Sequence, residues 1–192
     1  MVRAAEDHRK RLLAALATVL ADKPFRDVTL SDMTAAANVS RRTFYEHFAN
    51  KDECLLALSA DTSRAMLQAL LEQLQPSAPW AEQVQRLTAT YLDVIARQPA
   101  LMRALYIEAA STGLPGLSMR RRVAETFAGF LVQQVQERRQ RGEALQAMDQ
   151  SMALVLVAGI NELILYRLMD DAPLAELAPV AGAIMLRATV SL

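Results

Sequence analysis

The sequence predicts an all-α protein, with a small three-helix unit at the amino end and a larger helical body behind it. Three observations carry that. Ala and Leu are abundant while aromatic residues make up only 5% of 192 residues and β-branched runs are scarce, a composition that favours helix. Apolar residues recur at three- and four-residue spacing through most of the chain. Capping signals open several of these stretches, and Gly or Pro punctuation closes others.

The first helix runs from about Ala4 to Ala21 on a stripe of Leu12, Leu13, Leu16, Ala17 and Leu20, and Asp22-Lys23-Pro24 ends it. Thr29 stands three residues before Asp32, so its hydroxyl can accept from the N–H at the third helical position and a second helix starts near Leu30. Leu30, Met33, Thr34 and Ala37 share one face of it, and the run Ala35 to Ala37 permits close backbone approach. Asn38 tolerates the left-handed conformation that a short turn between crossed helices requires. Val39 plugs the junction and Ser40 caps the next helix, which places Arg41, Arg42 and Thr43 in its first turn, away from the Val39, Phe44 and Phe48 side. A helix that enters the DNA major groove with its N-terminus leading reads base edges from those positions, and Arg to guanine is the commonest specific contact. Asn50, with Glu53 three residues on, forms a capping box for a further helix that carries Lys51, a candidate phosphate contact, in its first turn.

Thr29 to Leu58 resembles the DNA-binding module of the TetR family of bacterial repressors, through Asn38-Val39-Ser40 at the turn, Tyr45-Glu46-His47-Phe48 and Lys51-Asp52-Glu53. It departs from that pattern at Asn38, where Gly is usual, and at Met33, where Ile is usual; Asn takes the same turn and Met fills the same volume. The resemblance implies a helix-turn-helix domain over 1–50 and a helical effector-binding and dimerisation domain over 51–192. It implies phosphate contacts from Thr29, Tyr45 and His47, although Tyr45 also reads as a core aromatic. The DNA-binding set is therefore Thr29, Ser40, Arg41, Arg42, Thr43, Tyr45, His47 and Lys51.

The body reads as helices from Lys51 to Leu74, Trp80 to Arg97, Pro99 to Ala110, Leu117 to Arg141 and Asp149 to Met169, with a last apolar segment to Leu192 that Pro179 either kinks or starts. Ser111 to Gly116 is the longest loop expected. The last two helices are too apolar for the surface of a monomer, with Met152, Val155, Leu156, Gly159, Ile160, Leu163 and Ile164 on one and Val180, Ile184, Leu186 and Val190 on the other. A two-fold homodimer through them follows, with Ala158 and Gly159 allowing close approach. Met152 to Ile160 is continuously apolar, but Asn161 and Glu162 interrupt it well short of the roughly 20 residues a bilayer crossing needs, so no membrane is expected.

Net charge is zero, which alone argues against nucleic acid, yet residues 1 to 51 hold nine Lys and Arg against six Asp and Glu. A basic head on an acidic body turns one end toward phosphate. One cysteine, Cys54, excludes an internal disulfide, and with no signal-peptide pattern before the first helix the expected location is a reducing cytoplasm. Cys54 in a first helical turn reads either as a dipole-lowered redox thiol or as a small buried residue.

His8 and His47 are the only histidines and lie in separate helices, so no metal site is expected, and the body, which holds no histidine, cannot assemble a nucleophile with its base. The chain reads as a non-enzyme without cofactor or metal. A small-molecule pocket is implied by the resemblance, and the body can line one with Met66, Tyr91, Met102, Tyr106, Phe127 and Phe130, oriented by Arg103, Asn161 or Glu162. The expected function is a repressor released from a palindromic operator by a largely apolar effector. The alternative is an all-helical interaction or scaffold protein without sequence-specific DNA binding.

Overall fold

A computed structural model describes residues 2–190, and among them there are α-helices, three short 3-10 turns and one isolated bridge between Leu145 and Val190, but no strand. The helices are α1 (Val2–Asp22), α2 (Leu30–Ala37), α3 (Arg41–Tyr45), α4 (Lys51–Glu72), α5 (Trp80–Ala96), α6 (Pro99–Tyr106), α7 (Leu114–Gln140), α8 (Gln150–Met169) and α9 (Ala178–Thr189). Most expected elements are present within a few residues, and the segment to Leu192 runs beyond the described residues at its end. Pro179 starts the last helix rather than kinking it, since Pro in the first turn gives up an N–H that has no helical partner. The expected loop 111–116 is mostly helical: a 3-10 turn spans Glu108–Thr112, and α7 begins at Leu114 once Gly113 has turned the chain at φ 77°.

Two compact units divide the chain, one of residues 1–63 with 98–120, the other of 64–97 with 121–192. The boundary expected between residues 50 and 51 falls within the first of these units. Helices α4 and α7 each contribute residues to both units, and α6 belongs with the amino-terminal helices.

In the first unit, Leu12, Leu16, Met33, Phe44 and Leu55 are fully buried around the α1, α2 and α3 junction, with Phe25 and Phe48 at its edges. Leu101 and Ala104 of α6 and Ala109 just after it join this core, and the Glu108 carboxylate accepts the Arg26 N–H at 3.2 Å. Burying side chains of this size is worth about 1.5–3 kcal/mol each, which is why so short a helix as α3 persists.

In the second unit Trp80, Val84 and Val135 are buried together, and the Trp80 indole donates to Thr189 Oγ1 at 2.8 Å. Arg138, 5% exposed, donates to the carbonyls of Gln75 and Ala78 at 3.0 and 2.7 Å and to Glu143 at 2.7 Å, holding the turn after α4 closed. By length and composition alone α8 is apolar enough to cross a membrane, contrary to the expectation drawn from Asn161 and Glu162. It is buried on one side only: Ala153, Val157, Ile160, Ile164 and Leu168 pack inward, while Met152, Val155, Tyr166 and Met169 are exposed on the other side. The expected apolar set on α8 thus divides, with Ile160 and Ile164 spent on the unit's own core. On α9, Val180 and Ile184 are exposed, as is Val190 beyond its end.

Candidate nucleic-acid interface

Helix α2 is set by a reciprocal cap. Asp32 N–H donates to Thr29 Oγ1 at 3.2 Å, while the Asp32 carboxylate accepts the Thr29 N–H at 2.8 Å and its hydroxyl at 2.7 Å. Lys23 bonds the same carboxylate at 2.9 Å and, with Thr29, holds its pKa down at about 2. At the other end Asn38 is left-handed at φ 51°, its N–H reaching Ala35 O and the Val39 N–H reaching Thr34 O at 3.0 Å. From α1, the Arg11 guanidinium donates to the carbonyls of Ala37 and Asn38, closing acceptors that the end of α2 leaves open. No local sequence signal marks Arg11 for this task, since its partners lie more than twenty residues away.

Ser40 caps α3 by accepting the Thr43 N–H at 3.0 Å, with the two hydroxyls 2.9 Å apart. The cap turns the first turn of α3 outward while Phe44 sinks fully into the core. Arg41 is exposed and reaches Ser31 Oγ at 2.6 Å; the Arg42 side chain is 90% exposed and pairs with Glu46 at 3.3 Å, a surface contact worth little. Tyr45, 60% exposed and edge-on to Phe44, is not the core aromatic it could have been. Thr29 is exposed, but its hydroxyl proton is engaged by Asp32, so a phosphate there must compete with that carboxylate. His47 is half-buried, its ring edge-on to His8 with centroids 6.4 Å apart, a packing arrangement the separation in sequence concealed.

Lys51 differs most from expectation. Its ammonium donates to the carbonyls of Phe25, Arg26 and Val28 at 3.1, 3.2 and 3.0 Å and lies 4.7 Å from the Phe25 ring centroid. An ammonium has three protons, and each has an acceptor here, so Lys51 pins the 3-10 turn Phe25–Asp27 and a phosphate must compete with three carbonyls for it. The neighbouring cap is also modified: Asn50 Oδ1 accepts the Glu53 N–H at 2.8 Å, but Glu53 returns its bond to the N–H of Ala49.

Residues 12–58, which span α1 from its buried leucines through the first turns of α4, match the family model of bacterial regulatory proteins of the tetR family. This segment is a tetR-family domain. Among curated relatives, the HTH-type transcriptional regulator EthR of Mycobacterium tuberculosis is 36% identical over 53 residues, 28% of this chain and 24% of that protein. The HTH-type regulator YxbF of Bacillus subtilis is 29% identical over 92 residues, 47% of this chain and 24% of the relative. The match thus spans about a quarter of the length of these relatives, which are named as transcriptional regulators and not as enzymes. Over nearly the whole chain the fold is that of solved tetR-type regulators. The fatty acid degradation regulator FadR of Bacillus halodurans superimposes with a TM-score of 0.78 at 18% identity, covering 93% of this chain and 94% of that one. FadR of Bacillus subtilis, solved in complex with stearoyl-CoA, gives 0.77 at 18% identity over 93% and 98% of the two chains.

The second unit holds a partly open cavity of about 90 Å³. Tyr91, Phe127, Phe130 and Asn161 line it, and Tyr91 donates to Asn161 Oδ1 at 2.8 Å. Met66 is buried elsewhere in the same unit. Met102, Arg103 and Tyr106 do not line it, because α6 packs in the first unit. Glu162 also stands apart from the wall and accepts from the exposed Tyr166, raising that phenol's pKa. Trp80, Val157 and Ile160 are among the apolar residues that also line it, as do Thr88, Gln134, Leu131 and Met185, which nothing in the sequence sets apart.

Cys54 is fully buried, and burial pushes its thiol up to about 12, the reverse of the shift a redox-active thiolate needs. Among the described residues no group of three His, Cys, Asp or Glu is placed to hold a metal ion.

Proposed function

We propose that this tetR-family chain is a cytoplasmic DNA-binding transcriptional regulator, a homodimeric repressor that a small, largely apolar effector releases from a palindromic operator. The observation that carries this reading is the first turn of α3, where Ser40 caps the helix and Arg41 and Arg42 extend into solvent from a rigid apolar base. Arg41, Arg42 and Thr43 face base edges, and Tyr45 with His47 and Thr29 lie toward the backbone phosphates.

Two such helices reach successive major grooves only if they stand about 34–36 Å apart, which calls for a second copy. The exposed side of α8 at Met152, Val155, Gly159 and Tyr166, with Val180 and Ile184 of α9, supports a two-fold contact with that copy. Helix α4, with residues 51–63 in one unit and 64–72 in the other, supplies the covalent route by which an occupied cavity biases the spacing. The effector acts by its differential affinity for the two spacings. At 18% identity the stearoyl-CoA of the Bacillus subtilis regulator is not carried over to this chain.

A gel shift with fragments of the gene's own upstream region tests the proposal. One palindromic fragment should be retained well above random DNA, with affinity falling steeply as salt rises. Equal retention of all fragments would favour a scaffold or interaction protein instead.

A further inference from the structure

We propose that the cavity of the second unit takes a compact, uncharged ligand about the size of one aromatic ring, carrying a single hydrogen-bonding group. This deepens the effector-responsive reading given above and rests on it.

Volume sets the size. A cavity of about 150 Å³ holds benzene, and this one measures about 90 Å³, so a single ring fits once the wall yields about 60 Å³ more. Met185 is the residue suited to yield, being half-buried, unbranched and in the wall. A long acyl chain needs several times that volume.

Charge sets the chemistry. No Lys, Arg, His, Asp or Glu lines the cavity. The Arg138 guanidinium stacks 5.9 Å from the Trp80 ring, and both its terminal nitrogens are turned to Gln75, Ala78 and Glu143. A carboxylate or phosphate entering here loses its hydration and gains no ion partner. A neutral hydroxyl or carbonyl meets Thr88, Gln134 or the Tyr91–Asn161 pair, while Trp80, Phe127 and Phe130 supply faces for a ring.

Trp80 is the only tryptophan and stands in the wall, so intrinsic fluorescence reports directly on this site. The test titrates the full-length protein at pH 7 with benzyl alcohol, toluene, benzoate and stearoyl-CoA. Benzyl alcohol should change the emission saturably, with a Kd at least tenfold below that of benzoate and below that of toluene. Val157→Phe, which fills the space, should abolish saturation, and Asn161→Leu, a change in one polar group, should erase the preference for the alcohol over toluene. Circular dichroism establishes that each variant is folded, and the Asn161 variant stands alone should the filled one not fold. Benzoate binding as tightly as the alcohol, stearoyl-CoA binding more tightly than the rings, or no saturable change with any probe would overturn the assignment. The assay contains no DNA: saturable binding by a protein that retains no operator fragment would leave the assignment standing while the regulatory reading failed.

Discussion

Asp32 is where a single side chain binds two parts of the tetR domain together, joining Lys23 at the end of α1 to the cap of α2. Its folded pKa of about 2 lies below the model-peptide value of 3.8, with the Lys23 bond the largest cause and Thr29 next. A carboxylate depressed on folding contributes stability that is complete above its unfolded pKa and is lost as pH falls through the folded one. Chemical denaturation should therefore show the domain weakening between about pH 4 and pH 2, and Asp32→Asn should flatten that limb. Lys51 is the second residue whose task is set by distant chain. Removing the ammonium leaves the Phe25, Arg26 and Val28 carbonyls without their donor, so Lys51→Ala should cost about 1–3 kcal/mol in a urea melt. A variant as stable as the parent but weaker toward all DNA would return Lys51 to the phosphate role.

At the scale of elements, what the sequence discloses depends on how local the controlling interaction is. The Thr29–Asp32 box, the Asn38 turn and the Ser40 cap span three or four residues each, and all are legible in the order of residues alone. Arg11 on the end of α2, Lys51 on the Phe25–Asp27 turn and His8 against His47 bridge separations beyond twenty residues and leave no local pattern. The same distinction explains the cavity: Tyr91, Phe127, Phe130 and Asn161 are conspicuous by type, whereas Thr88, Gln134 and Met185 become wall residues only through how α5, α7 and α9 are rotated. It also explains the missed turn at residues 108–112. Gly116 at the start of α7 lies so close to that turn that a Cβ built on it would fall 1.9 Å from Ala109 O and 2.5 Å from Thr112 Oγ1. Gly116→Ala should consequently force the two elements apart and lower the thermal midpoint by several degrees, although alanine is the better helix former.

For the whole molecule, the apolar surface left on α8 and α9 is the feature a lone chain does not account for. Val155 is 67% exposed and Met152 51%, on the side of α8 opposite its buried Val157 and Ile160. Val155→Arg places a charge in the middle of that face. Sedimentation velocity at micromolar concentration should find a dimer for the parent and a monomer for the variant, with operator affinity falling together with the dimer. A parent that sediments as a monomer would remove the geometric basis for reading two half-sites.

The central claim, that the capped first turn of α3 reads DNA sequence, is tested most directly by the affinity ratio between the operator palindrome and a scrambled duplex, measured by fluorescence anisotropy for the parent and for Arg42→Ala. Arg42→Ala should lose about 1–3 kcal/mol on the palindrome and much less on the scrambled duplex, so the ratio collapses. Equal losses on both duplexes, with the ratio unchanged, would contradict it.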